Sequence, residues 1–274
     1  MMAVDVKKIM VLIEENFDCN GEVTVDPATQ LVSCTDTVSA KKEMGSLPVR
    51  FDHVGGDFVC SNAQLTSLNG APRTVAGSFY CDGNQLTSLN GAPRSVRDFV
   101  CSRNQLTSLE GAPLSINGGF VCSYNQLTSL KGAPQSITGT FSCANNQLVS
   151  LEGAPQLVKG GFNCSSNQLA SLDGAPRSIG GPFHLQSNRL TSLKNTPRKI
   201  KGACVVSVFD DTPLLDLLLV EGVSKFGFYS NWSTNRLSDL EDILNRYKGT
   251  GYNGMAPCAA RMAKAGYGSN ARAG

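Results

Sequence analysis

The chain has 274 residues, 41% of them hydrophobic, which is ample for a substantial core in one or two domains. Its 24 Lys+Arg against 22 Asp+Glu leave a formal net charge of +2, which excludes a global field steering the molecule toward nucleic acid or an anionic membrane. Partner choice must come from local surface.

At the front, Val4, Val6, Ile9, Met10, Ile13 and Phe17 fall mostly on one helical face, which predicts an amphipathic N-terminal helix acting as a cap. The apolar run from Ile9 to Ile13 is too short for a secretory signal and meets Glu14 and Glu15, so neither an export signal nor a membrane span is expected. A degenerate first coil completes this cap over residues 1–46.

From residue 47 a repeat takes over. Cys60, Cys81, Cys101, Cys122, Cys143 and Cys164 recur at steps of 21, 20, 21, 21 and 21 residues, and Leu185 and Val206 prolong the column. A thiol at fixed spacing is a core position rather than a bridging pattern, so the cysteines read as reduced thiols of a cytosol. Repeats of this length build a solenoid. Phe79 and Cys81 alternate as the inner face of a short strand whose intervening Tyr80 points outward. Phenylalanines 58, 79, 99, 120, 141, 162 and 183 then stack as one core column. The asparagines Asn84, Asn104, Asn125, Asn146, Asn167 and Asn188 follow where the chain turns out of the strand. A buried amide can donate to and accept from neighbouring coils, which predicts a ladder that Ala63 leaves incomplete in the first coil. Leu86 and Leu89 carry the chain across the interior, and Gly91-Ala92-Pro93 closes the turn into an extended convex segment. The 21-residue coils carry one residue more than the coil of Val96, Phe99 and Cys101, beside a glycine, and this is expected to form a bulge.

The outward strand residues form the expected binding surface, on the concave face of the solenoid: Val59, Tyr80, Val100, Val121, Ser142, Asn163 and His184, with Arg103 and Tyr124 beside them. The first four are apolar or aromatic, and with Tyr and Arg alongside they have the composition of a protein–protein interface core. Arg73, Arg94, Arg177 and Arg198 follow the turn prolines, but Leu114, Gln135 and Gln156 interrupt them, which argues against a single basic stripe.

After residue 208 the repeat gives way to a small α/β cap spanning 209–274. Asp210 and Asp211 are adjacent, so they point apart instead of converging as paired catalytic carboxylates. Thr212 and Pro213 predict the N-cap and first position of a short helix, Leu214 to Glu221, stopped by Gly222. A strand is expected over Lys225 to Tyr229, a helix from a capping box of Ser238 and Glu241 to about Tyr247, and a last helix from Met255 to Ala265. Gly249-Thr250-Gly251-Tyr252-Asn253-Gly254 has the letters of a dinucleotide loop but follows a helix rather than a strand, and reads as a glycine-rich connection. Cys258 is expected in the first turn of the last helix, where the dipole can activate a thiol. The only histidines, His53 and His184, lie in or beside the solenoid. From Tyr247 onward the tail bears Lys248, Arg261, Lys264 and Arg272 without a carboxylate, a solvated basic surface.

The unit resembles the leucine-rich repeat, L-x-x-L-x-L-x-x-N-x-L, in the short type of bacterial effectors, with Val96, Phe99, Cys101, Asn104 and Leu106 at its spacing. The wording F-x-C-x-x-N-Q-L-T-S-L-x-G-A-P is more closely similar to a repeat of predicted tailed-bacteriophage proteins. Leu47-Pro48-Val49-Arg50-Phe51 and the stretch from Leu214 through Ala265-Gly266-Tyr267 resemble the flanks of those proteins. The resemblance implies a mainly β leucine-rich-repeat solenoid over residues 47–208, of phage origin. It confers no general activity. Some bacterial effectors with such repeats carry a cysteine ubiquitin-ligase domain, but this tail is too short, and Cys258-Ala259-Ala260 lacks an acidic neighbour. The expected function is a non-enzymatic scaffold that binds a host factor in the cytoplasm or a neighbour in the virion. The alternatives are a virion structural component and a thiol-dependent enzyme acting through Cys258. No catalytic residue, metal, cofactor or membrane partner is assigned; nucleic acid is not expected as a partner, and homo-oligomers are left open.

Overall fold

The computed structural model describes residues 6–41, 43–208, 212–230 and 234–272, so Val4, Asp210 and Asp211 lie outside the described residues. The fold is a mainly β solenoid of stacked coils with parallel strands, helices being confined to the two ends. It comprises two compact units, 1–127 with 131–134 and 128–130 with 135–274.

In the first unit, helix α1 (Val6–Asn16) leads into β1 (Phe17–Cys19), which pairs antiparallel with β4 (Val38–Ala40), while β2 (Val23–Val25) and β3 (Leu31–Cys34) form a hairpin. Phe17 is buried edge-to-face against Phe51, ring centroids 5.2 Å apart. The expected front cap therefore exists, but Phe17 serves it from a strand rather than from the helix. Two strand series follow. One is β6 (Phe58–Val59), β8 (Phe79–Tyr80), β10 (Phe99–Val100) and β12 (Phe120–Val121), the strands of the Phe-x-Cys motif. The other is β5 (Arg50–Val54), β7 (Thr74–Val75), β9 (Ser95–Val96) and β11 (Ser115–Ile116). Parallel register sets Phe58, Phe79, Phe99 and Phe120 side by side, with ring centroids 5.3, 5.5 and 5.6 Å apart. Between the two series Leu65, Leu68, Leu86 and Leu89 are fully buried, as are Cys60, Cys81, Cys101 and Cys122.

The second series refines the expectation of a merely extended convex segment. In the first unit β5 pairs with β7 and β9 with β11, the ladder breaking between β7 and β9, and these strands turn a β-branched Val75, Val96 or Ile116 inward, so the coils carry strands on two sides. The turn before it is type II, with Ala92 N–H donating to Leu89 carbonyl at 3.0 Å and Gly91 at φ 94°. A Cβ on Gly91 would stand 2.7 Å from the Leu68 carbonyl oxygen of the preceding coil, so conformation and space both demand glycine. The expected bulge is instead a tight corner. A Cβ on Gly77 would lie 2.8 Å from the Gly56 carbonyl, and the phenylalanine register continues unshifted because the extra residue is absorbed before the strand begins.

The second unit repeats the plan with β14 (Phe141–Ser142), β16 (Phe162–Asn163), β18 (Phe183–Leu185) and β20 (Ala203–Ser207) on one side. On the other side run β13 (Ser136–Ile137), β15 (Leu157–Val158), β17 (Ser178–Ile179) and β19 (Lys199–Ile200). Strand β21 (Lys225–Tyr229) appears as expected and adds parallel to β20. The three helices expected in the cap depart from expectation at their starts. The short helix is a single 3-10 stretch, Leu215–Leu219, and Leu214 rather than Thr212 occupies its N-cap. Helix α2 runs Thr234–Tyr247, placing Ser238 inside it instead of at a capping box. Its Glu241 is spent on a different task, accepting the Phe228 N–H at 3.0 Å. Helix α3 runs Tyr252–Lys264, opening directly on Gly251 at φ 56°.

Candidate functional site

The asparagine column forms the framework behind the candidate face. Asn84 accepts the N–H groups of Ala63 and Leu65 in the preceding coil at 3.0 and 2.9 Å, and donates to the carbonyls of Cys60 and Cys81 at 2.9 and 3.0 Å. Asn104 and Asn125 repeat the pattern through Leu86 and Leu106 N–H, as do Asn167 and Asn188 through Leu148 and Leu169 in the second unit. Asn146 donates to the Cys143 carbonyl at 3.0 Å. Asn84, Asn104, Asn125, Asn167 and Asn188 thus each lock two coils at once, as the ladder expectation requires. Ala63 leaves the first coil without its own amide, although Asn84 satisfies the Ala63 N–H.

Turning out of the strand this way forces the residue before each asparagine, and before Ala63 in the first coil, into the left-handed region: Asn62, Gly83, Arg103, Tyr124, Asn145, Ser166 and Ser187, with φ between 55° and 68°. Glycine, asparagine and serine tolerate this conformation or hydrogen-bond locally, whereas Arg103 and Tyr124 have bulky side chains held against a cost of about 1–2 kcal/mol each. Those two sit together. The Arg103 guanidinium lies 5.1 Å from the Tyr124 ring centroid, and Tyr124 is 52% exposed.

Register in the first unit places Val59 beside Tyr80, Tyr80 beside Val100 and Val100 beside Val121, all half-buried and all on the outer face. One flank holds Ser61 and Asp82, joined by a 2.6 Å hydrogen bond. The other flank holds a network that the sequence reading missed. The Asp57 carboxylate accepts the Ser78 N–H at 2.7 Å, and Asp98 accepts the Gly119 N–H at 2.7 Å and the Ser78 hydroxyl at 2.9 Å. Arg97 bridges both acids, at 3.7 Å to Asp57 and 3.1 Å to Asp98. Burial alone would raise the Asp98 carboxyl, but hydrogen bonds from Gly119, Ser78 and Arg97 bring it below its ordinary value. The signal was present in the one coil of 20 residues, whose missing residue puts Arg97 and Asp98 directly before Phe99.

In the second unit Ser142, Asn163 and His184 are also in register, and Val205 of β20 continues their column. Asn163 is turned onto its own strand, where it accepts the Ser165 N–H at 3.0 Å and hydroxyl at 2.7 Å, so it offers less to a partner than its position suggested.

The remaining candidates are dispersed. His53 hydrogen-bonds Thr74 at 2.9 Å within the post-proline series. Cys258 stands in the second turn of α3, not the first, is fully buried, and has its thiol pushed up to about 11 by that burial. Of the run 249–254, Gly249 to Gly251 link α2 to α3 after a helix as expected, whereas Tyr252 to Gly254 form the start of α3 itself. All ten cysteines are free thiols. Among the described residues no three His, Cys, Asp or Glu side chains converge to hold a metal, and no helix is long and apolar enough to cross a membrane. No protein-family model and no curated protein matches the chain.

Proposed function

We propose that the chain is a non-enzymatic interaction scaffold of phage origin whose solenoid binds a protein partner through the outer face centred on Val59, Tyr80, Val100 and Val121. The observation that carries this reading is the pairing of that in-register apolar column with Arg103 and Tyr124, two side chains retained in a backbone conformation that disfavours them. An aromatic and an arginine beside an apolar strip are the usual anchors of an interface. The fold itself supports the reading, since a rigid ladder of backbone and amide hydrogen bonds presents side chains without an ordering cost at binding. The phage assignment rests on the repeat wording and its flanks.

The test is affinity purification from infected host cells with the wild type and with a Tyr80→Ser/Val100→Ser double variant whose circular dichroism is unchanged. The partner should be recovered by the wild type and depleted at least tenfold with the variant; equal recovery rejects the face. Mass spectrometry of purified particles separates a virion neighbour, which copurifies with them, from a cytoplasmic host factor, which does not.

A further inference from the structure

We propose that the post-proline sheet of the second unit, around Arg177, Arg198, Lys159 and Lys201, binds the phosphodiester backbone of nucleic acid without regard to sequence. Register brings these residues together from three successive coils. Leu157, Ser178 and Lys199 are neighbours across β15, β17 and β19, and the Arg198 N–H donates to the Arg177 carbonyl at 3.1 Å. Arg177 and Arg198 are therefore stacked one parallel-strand step apart, about 4.8 Å. Lys159 and Lys201 follow Val158 and Ile200 on the same face, two steps apart with Gly180 between them. All four cations are exposed.

Like charges held in register repel, and in the first unit acids offset part of this repulsion, although Arg94, one coil after Arg73, has no ion pair among the described residues. There Arg73 meets Asp52 of the preceding coil at 3.6 Å, and Arg97 meets Asp57 and Asp98. In the second unit the residue below Arg177 is Gln156 and the residue below Arg198 is Arg177 itself. Among the described residues none of the four cations has an ion pair. From 152 to 208 the sequence carries Lys159, Arg177, Arg189, Lys194, Arg198, Lys199 and Lys201 against Glu152 and Asp173 alone. Asp173 is already held by Ser171 and Asn195, and Glu221, which borders Lys199, lies at the margin. Arg177 and Arg198 also line an open groove of about 520 Å³ with Gln156 and Asn195.

A protein partner would need an apolar or aromatic centre, whereas here Leu157, 42% exposed, stands at one edge of the patch and Tyr252, 78% exposed, at the other, where it shares a groove with Arg198, Asp216 and Glu221. A phosphate backbone needs only cations and forked donors, which Arg177 and Arg198 supply. Reading the post-proline column by itself hides the patch, because Lys159 and Lys201 belong to a neighbouring column that only the strand register aligns with it.

The experiment is fluorescence anisotropy of a labelled mixed-sequence DNA duplex and of a single strand of equal length, titrated with the full chain over a salt series. The wild type should bind, with log affinity falling linearly in log salt. Arg177→Gln/Arg198→Gln should lose at least tenfold in affinity and flatten that slope by about 2, since each phosphate contact contributes about 0.9. Arg73→Gln/Arg94→Gln should leave both unchanged. Absence of binding at low salt, equal loss in both double variants, or displacement of DNA by polyglutamate at equal charge concentration would each overturn the assignment.

Discussion

Asn125 shows how much of this fold is decided by single amides. Its Oδ1 accepts the Leu106 N–H at 3.1 Å, and its Nδ2 donates to the carbonyls of Cys101 and Cys122, each at 3.1 Å. All of these groups are buried, so no water replaces the amide when it is removed. Asn125→Ala is expected to cost about 2–4 kcal/mol, from one orphaned donor and two weakened acceptors, seen as a lower urea midpoint. Asn125→Leu, which fills the space without the bonds, should be no better; recovery by leucine would mean that packing rather than hydrogen bonding is at stake. Tyr124 is the opposite kind of residue. Its φ of 58° suits glycine, so Tyr124→Gly gains about 1 kcal/mol or more in the folded turn and gives back up to about 1 kcal/mol in chain entropy. Stability should therefore change by less than about 1 kcal/mol while the Arg103 stacking contact disappears. Partner capture that falls at unchanged stability would place Tyr124 in the interface; unchanged capture would confine the pair to a local role.

At the level of elements, the last strand needs a device against unwanted pairing. Strand β21 pairs with β20 on one side only, and a bare parallel edge invites another chain. Helix α2 covers it by hydrogen bonding rather than by packing alone. Asn245 accepts the Phe226 N–H at 2.9 Å and donates to the Phe226 carbonyl at 3.2 Å, and Glu241 accepts the Phe228 N–H. Glu241→Ala/Asn245→Ala should uncover these groups and yield dimers or larger species by light scattering, whereas Lys225→Ala, which removes only the surface pair to Glu241, should leave the protein's size unchanged. A monodisperse double variant would assign edge protection to the bulk of the helix. This use of Glu241 also explains why the start of α2 was misread: Ser238 and Glu241 satisfy the capping-box spacing, yet the glutamate is occupied by a strand far away in sequence. The start of α3 was misread similarly, because Gly251 and Gly254 looked like loop residues. In the structure Gly254 is helical and so close to Thr250 that a Cβ would collide with its hydroxyl. The second sheet escaped notice because two-residue strands such as Ser95–Val96 are too short to show a period.

For the molecule as a whole, what was legible was what repeats. Phe, Cys, Asn and Leu recur because every coil must meet the same core, so spacing alone places the interior and the ladder. Surface patches such as Arg97 with Asp57, or Lys159 with Arg177, draw on residues from different coils and columns, and only the register assembles them. The repeated thiols have a further consequence, which concerns pH. Burial raises Cys60, Cys81, Cys101, Cys122 and Cys164 above the ordinary thiol value of 9.0, Cys204 to about 12, and Cys258 to about 11. A thiol whose pKa is higher in the fold than in the open chain leaves stability unaffected below the open-chain value and diminishes it above, because the unfolded state sheds its proton first. The thiols' contribution should accordingly be flat up to about pH 9 and fall above it, Cys258 completing its share near 11 while the more strongly raised thiols continue the decline. Each buried thiol adds up to about 1.4 kcal/mol per pH unit to that fall. Replacing Cys101 by valine keeps the core apolar and removes one proton from the difference, so the urea midpoint of Cys101→Val should decline less steeply above pH 9 than that of the wild type. Parallel declines in the two proteins would show that Cys101 ionises alike in the folded and unfolded chains, contradicting its place inside the coil.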